Sequence, residues 1–504
     1  MTITALPPAP SRANQSTFVS RADAFIAALP AFVTEANALA AQMSNDVHDA
    51  TKIALAELSS QVSSWPVASI NGKTGAAMLT PGDVVNPFGI APTLNLDFAR
   101  QVYTQHAGAK GCMPVSDPFT SLITVTRSTT ANYVAPSGFV RPAAINEPAL
   151  TCDPANGEYL GLLVEPEATN VVLYSSAFDN AVWAKNDITV TAAAASSPSN
   201  AVDACRLTPT ATTASHYVSQ SLGVLSTSTT YTISVYAKAD GYSRLVLQTG
   251  SASGWAADVS TVFDLSSGVI QSGVGVIEKS ARGYYRCSIT NTTSASSTAR
   301  TMLIGVANTA GVLSHAGNGT SGLFVWGAQG VAGSIAASFI ATTGSAVTRT
   351  AGSIVITIGA SSWWRADEGS IFVEFAPVAG MESTSRVLLN MTDGTGSHRI
   401  TIGTHTSKAV TLYSSVGGTM STTSLYTVGQ KNRVAISYKA GEFSLAMNGV
   451  TPVTSSGLSI PASPVTTARI GSLDAGTLQP SCAIGRLSFF SRALPTSTLQ
   501  AMTL

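Results

Sequence analysis

From about residue 67 to the C-terminus, β-branched and aromatic residues alternate with polar ones in short runs, and turn dipeptides separate the runs. Asn156-Gly157, Asp240-Gly241, Asn318-Gly319 and Asn448-Gly449 mark such turns. A period of two buries one face of a strand and exposes the other, and Asn-Gly or Asp-Gly supplies the positive φ of a tight hairpin. A chain written this way closes into antiparallel sandwiches or barrels rather than βαβ units. Its 504 residues suit about three domains of roughly 100–200 residues each.

The first 66 residues depart from this pattern. Phe18, Phe25, Phe32 and Leu39 recur every seven residues, and Ala22, Leu29, Ala36 and Met43 fill the complementary offset. This is the a/d seam of a coiled coil. It breaks at Asp46 and resumes one position later through Val47, Ala50, Ala54, Leu58 and Val62, as a stutter does. Pro30 predicts the start of a second helix, because proline fits a first turn and disfavours helix in the residue before it. Trp65-Pro66 ends the stretch. The narrow seam predicts an oligomeric stalk; an amphipathic hairpin packed on its own domain is the alternative. Phe18, Phe25 and Phe32 are bulky for a two-stranded core, which points to a homotrimer.

Composition narrows the partners. Charged residues make up only 11%, with 27 basic and 27 acidic, and no basic block occurs. Nucleic acid is therefore not an expected partner, since phosphate binding needs clustered Lys and Arg. A polar, nearly uncharged surface suits neutral polymers such as sugars. Cys112, Cys152, Cys205, Cys287 and Cys482 are odd in number and lack a CxxC pair, so free thiols are expected. Met1 to Pro10 carries no signal-peptide pattern, and no apolar run suits a membrane span.

Ile70-Asn71-Gly72-Lys73-Thr74-Gly75, followed by Leu79-Thr80-Pro81-Gly82-Asp83-Val84, resembles a short element of bacteriophage tail fibres that follows a helical stalk. Ala77 and Met78 stand where those fibres usually alternate Val. Gly72-Lys73-Thr74 is not a P-loop, because the required first glycine falls at Val67. Residues 7–37 are similar to the starts of phage tail proteins, which implies anchoring to the virion at this end. Leu96-Asp97-Phe98, Thr126-Arg127-Ser128-Thr129-Thr130-Ala131, Leu160-Gly161-Leu162-Leu163-Val164-Glu165 and Thr169-Asn170 resemble a module that precedes carbohydrate-binding-like domains in phage fibres. Phe263-Asp264-Leu265-Ser266-Ser267-Gly268, Gly283 to Ile289 and Gly322 to Gln329 are typical of the jelly roll that comes after it, with Tyr285 and Trp326 expected in its core. Val434, Ile436 and Tyr438, the turn at 439–442, and Phe443, Leu445 and Met447 before Asn448-Gly449 resemble a laminin-G-like, concanavalin-type lectin sandwich. Gly485 to Pro495 looks like that family's closing strand, with a short helix.

Together these imply a mainly β chain: an N-terminal α-helical coiled-coil stalk, a β-rich connector and two antiparallel β-sandwich domains. The expected boundaries are 1–66 for the virion anchor and stalk, and 67–95 for a short β fibre connector. A β-rich linking module comes next at 96–169, then a carbohydrate-binding-like jelly roll at 170–351 and the laminin-G-like sandwich at 352–504.

Chemistry-bearing motifs are scarce. His48, His106, His216, His315, His398 and His405 form no HExxH or other metal spacing, and there is no GxSxG elbow. No DxDxDG calcium loop occurs, nor the repeated short coils of a β-helical tailspike. Glu374 is expected to face solvent on a strand and Asp393 to shape a turn. No catalytic residue, cofactor or metal is assigned. Sugar binding needs exposed aromatic faces with polar groups beside them. Trp363-Trp364-Arg365 is the densest such cluster; strand alternation predicts one tryptophan outside, and burial of both at a domain junction is the alternative. Tyr242, Trp255, His398, Arg399 and Tyr413 form a second, weaker set. The expectation is a non-enzymatic tail fibre of the virion, made in the host cytoplasm. It would be anchored to tail or baseplate proteins and bind a bacterial surface glycan or protein. A polysaccharide depolymerase and a purely structural appendage are the alternatives.

Overall fold

A computed structural model describes residues 23–24, 27–28, 92–105, 122–358, 363–378, 380–381, 384–394, 397–461, 465–473 and 477–504. The seam residues Phe18, Phe25, Leu29, Phe32, Leu39 and Met43, and the element at 70–84, lie outside the described residues. In the stalk region 23–24 and 27–28 are helical. The chain divides into the units Met1–Ile90 and Ala91–Leu504, and every described strand belongs to the second.

The segment expected as a jelly roll forms a pair of six-stranded antiparallel sheets that take their strands from Ala184–Asn186 through Gly322–Ala332. Alternate residues of both sheets, among them Val235, Leu247, Phe263, Ile304 and Val325, fill the core between them. Trp326 is buried as expected. It does not join the main core but packs with Tyr236 and Phe339 in a separate cluster, and Tyr285 is half-buried at the edge of the main core.

The Phe263 to Gly268 motif has a local cause. The strand Val259–Asp264 ends in a turn closed by the Asp264 carboxylate. It accepts hydrogen bonds from Ser266 N (2.9 Å), Ser266 Oγ (2.5 Å) and Ser267 Oγ (2.7 Å), and pairs with Arg244 at 2.5 Å. Burial by itself pushes this carboxyl up. The Ser266 and Ser267 hydrogen bonds and the Arg244 charge outweigh it and hold the group at about 2. The folded value is thus depressed below the ordinary carboxylate value of about 3.9, so the stabilisation is full above that value and is lost as pH falls towards 2. Asp264→Asn is expected to remove this part of the acid-unfolding profile, read by circular dichroism between about pH 4 and 2. An unchanged acid limb would contradict the assignment.

The C-terminal sandwich packs a nine-stranded sheet on a seven-stranded one. The hairpin around residues 439–442 forms as the sequence predicts. Asn432–Lys439 pairs with Glu442–Met447, from Val434 opposite Met447 to Lys439 opposite Glu442. At the next turn Asn448 has φ +48° and Gly449 φ +74°, and a Cβ on Gly449 would collide with the Leu504 side chain. The closing strand Cys482–Phe490 and a helix at Thr496–Met502 complete the chain.

Sheet pairing runs across the expected 67–95, 96–169 and 352–504 boundaries. Leu94–Asp97 pairs with the second half of the closing strand (Leu94 opposite Phe489), and Tyr159–Val164 pairs with its first half (Leu162 opposite Ile484). Thr124–Thr126 adds to the edge of the other sheet beside Ser353–Thr357. Much of the linking module is therefore part of the C-terminal sandwich, and the jelly roll is an insert within it. The physical reason is the closing strand, which is buried on nearly every residue and needs a neighbour on both sides.

The two ends of the insert are fastened together. Ala168–Asn170 pairs with Val347–Arg349, and Glu165 meets Arg349 at 2.8 Å with side chains 7% and 5% exposed. Asn170, fully buried, donates to Ile340 O (2.8 Å) and accepts from Gly330 N (3.0 Å) and Val172 N (3.1 Å). This explains the Leu160 to Glu165 and Thr169-Asn170 motifs: they form the neck of the inserted domain. Cys152, Cys205, Cys287 and Cys482 are buried free thiols.

Candidate functional site

The structure separates the expected site residues. Trp363 and Trp364 are both buried, 2% and 7% exposed, so neither ring is left outside and the alternative of two buried rings holds. Trp363 packs on Phe489 with ring centroids 4.4 Å apart, and Trp364 stacks on Tyr438 at 5.1 Å. The pair lies in the irregular segment before the strand Glu368–Pro377, where strand alternation does not apply, so both rings turn inward. Arg365 is spent on an ion pair with Asp367. Trp255 is also core, 1% exposed, with Nε1 donating to Thr301 O at 2.9 Å. Tyr242 is half-buried against His315.

His398, Arg399 and Tyr413 do come together. In the seven-stranded sheet Arg399–Thr404 pairs with Ala409–Ser414, with Thr401 opposite Tyr413. Ile400, Ile402, Val410 and Leu412 point into the core. Arg399, Thr401, Thr411 and Tyr413 therefore stand on the outer face, one diagonal step separating Arg399 from Tyr413. The guanidinium carbon lies 5.1 Å from the Tyr413 ring centroid. Such stacking contributes about 0.5–1 kcal/mol at an exposed site and holds the guanidinium plane in place. Among the described residues the Arg399 guanidinium has no carboxylate partner, and its buried Nε has no acceptor.

Polar groups complete the patch. His398 Nδ1 lies 2.9 Å from Asp393 Oδ2, and Asp393 N donates to His398 O at 3.2 Å, closing the turn between strands. Arg399 N donates to Ser415 Oγ at 3.1 Å. Thr401 Oγ1 donates to Asn390 Oδ1 at 2.8 Å, and Asn390 donates to Leu473 O at 2.6 Å. Thr401 and Asn390 are buried beneath the patch, and a guanidinium held flat beside an imidazole on the half-exposed face is a binding surface for oxygen acceptors such as sugar hydroxyls and carboxylates. Nothing in the sequence singles out Asn390, Thr401 and Ser415. They follow only once the strands 399–404 and 409–414 are paired in register.

The carboxylates do not converge. Glu374 is buried, not solvent-facing, and pairs with Arg433 at 2.9 Å, its cross-strand neighbour. It lies in the nine-stranded sheet, whereas Asp393 ends a strand of the seven-stranded one and serves His398. Among the described residues no group of three or more His, Cys, Asp or Glu is placed to hold a metal ion.

No protein-family model matches the sequence, and no curated protein matches it. Solved structures similar to part of the chain include the CBM40 of the Ruminococcus gnavus IT-sialidase bound to α2,3-sialyllactose. It is 18% identical over 27% of this chain and 83% of that one, with a TM-score of 0.24. The NanB sialidase of Streptococcus pneumoniae is 15% identical over 28% of this chain and 25% of that one, at 0.24. The botulinum neurotoxin type G receptor-binding domain is 11% identical over 30% of this chain and 41% of that one, at 0.23. The chain spans less than half the length of the last two. At these TM-scores the likeness carries no ligand over to this chain.

Proposed function

We propose that this chain is a structural and adhesive protein of a phage tail, a homotrimeric fibre that binds a bacterial surface glycan without cleaving it. Binding uses the outer face of the C-terminal sandwich. The Arg399–Tyr413 stack carries this reading: a half-buried guanidinium without a carboxylate partner among the described residues, fixed over a ring on a polar sheet face. The tail-fibre element at 70–84, the seam at 18–43 and the low charge of the chain support the fibre part of it. The N-terminal unit anchors to tail or baseplate proteins, and the sandwiches meet the host.

A single shallow site binds weakly. Three copies on one trimer gain about 10²–10⁴ in apparent affinity when geometry permits. Arg399→Ala and Tyr413→Ala are each expected to weaken retention of the full chain on immobilised bacterial capsular polysaccharide by at least about tenfold, since one charge-assisted contact or its support is lost in each of the three copies. Thermal melting should stay unchanged, since neither side chain is core. Undiminished retention in both variants would place the glycan elsewhere. Sedimentation should give a trimer, and a stable monomer would refute the fibre.

A further inference from the structure

Between the jelly roll and the C-terminal sandwich lies a cleft of about 330 Å³. This is the low end of the roughly 300–1,000 Å³ range of small-molecule sites. Its floor is the outward face of a jelly-roll sheet. Register sets Glu278 beside Arg286 and Arg286 beside Tyr236 in one row. The next rows bring Ser288 beside Ser234 and Thr290 beside Thr232. The walls are apolar and come from three directions: Tyr133, Phe339, and Val378 of the C-terminal sandwich.

Arg286 is held but not saturated. It lies over the Tyr236 ring at 5.5 Å, its Nη2 donates to Ala337 O (2.5 Å) and Ser234 Oγ (3.2 Å), and its Nη1 donates to Ala336 O (3.4 Å). Among the described residues its buried Nε has no hydrogen-bond partner, and neither has the Oγ of Ser338, another lining residue. The nearby Glu165 accepts instead from Ser338 N at 2.7 Å and Arg349 at 2.8 Å. Buried polar atoms left unpaired are uncommon and mark places where a partner belongs. The lining carries charges of both signs, Arg286 and Lys279 facing Glu278, while Glu165 is already paired with Arg349.

We infer that this cleft is a second ligand site, for a short neutral saccharide. An anion would meet Glu278, and a cation would meet Arg286 and Lys279. A purely apolar ligand would leave the exposed polar floor groups Thr290 and Glu278 without partners. A pyranose ring has apolar faces for Tyr133 and Phe339 and hydroxyls for Arg286, Ser288, Thr290 and Glu278. The cleft is independent of the Arg399–Tyr413 site, which lies on the outer face of a different sheet.

The test is titration of the full chain with glucose, galactose, N-acetylglucosamine and their disaccharides, followed by saturation-transfer NMR and calorimetry. At least one of these sugars should bind. Thr290→Trp, from an exposed floor position, should fill the cleft and abolish binding. Glu278→Gln, also exposed, should weaken it about tenfold, the loss of one charge-assisted hydrogen bond. Failure of every one of these sugars to bind at millimolar concentration would overturn the assignment. So would a Thr290→Trp chain that binds as well as the unaltered one while melting at the same temperature.

Discussion

Residues 352–504 expressed alone are expected to give an aggregating or molten product, whereas residues 92–504 fold cooperatively. The shorter fragment lacks Leu94–Asp97, Thr124–Thr126 and Tyr159–Val164, so the closing strand Cys482–Phe490 loses its neighbours on one side. It also loses Leu94, Leu96, Phe98, Ile123, Leu162 and Val164 from the core, each at most 4% exposed. Burying one such side chain contributes about 1.5–3 kcal/mol, so the loss is on the order of 10 kcal/mol. Net domain stability is only about 5–15 kcal/mol. The fragment would also present an open apolar strand edge, which promotes association. Near-ultraviolet circular dichroism and a thermal melt compare the two. A sharp melt of 352–504 would contradict the inserted-domain architecture.

Trp364→Ala is expected to destabilise the C-terminal sandwich by about 3–5 kcal/mol, lowering its melting temperature on the order of 10 °C. The ring is 7% exposed and stacked on Tyr438, whose own hydroxyl donates to Arg365 O at 2.9 Å. Removing it opens a cavity at a point where the 363–367 segment is tied to the hairpin strand Asn432–Lys439. Differential scanning calorimetry reads the effect. A variant that melts like the parent but binds glycan less would mean that the ring is a ligand contact after all.

These outcomes trace what a linear sequence can carry. The hairpin of Val434 to Met447 is legible because its alternation and its turn lie within one short stretch. The jelly-roll motif at Phe263 to Gly268 is legible for the same reason: Asp264 closes its own turn through Ser266 and Ser267. Pairings across long separations are not. Nothing local in Leu94-Asn95-Leu96-Asp97 names Phe489 to Arg486 as its partners, although its pattern is that of a strand. The two tryptophans mislead for a different reason. Alternation does not govern a segment that is not a strand, and packing against Phe489 and Tyr438 decides the outcome. Glu374 reads as exposed because its cross-strand Arg433 is invisible until the hairpin is placed. His398, Arg399 and Tyr413 form one patch because two adjacent strands carry them, so local register is enough. The seam of Phe18 to Met43 lies outside the described residues, and the stalk rests on sedimentation.

The most direct measurement incubates the intact chain with purified bacterial capsular polysaccharide and lipopolysaccharide O-chains, and follows both retention of polymer and release of reducing ends. The adhesin account predicts retention of intact polymer that falls at least about tenfold in Arg399→Ala, with no new reducing ends. Steady release of reducing ends, or retention equal in the parent and Arg399→Ala, would contradict it.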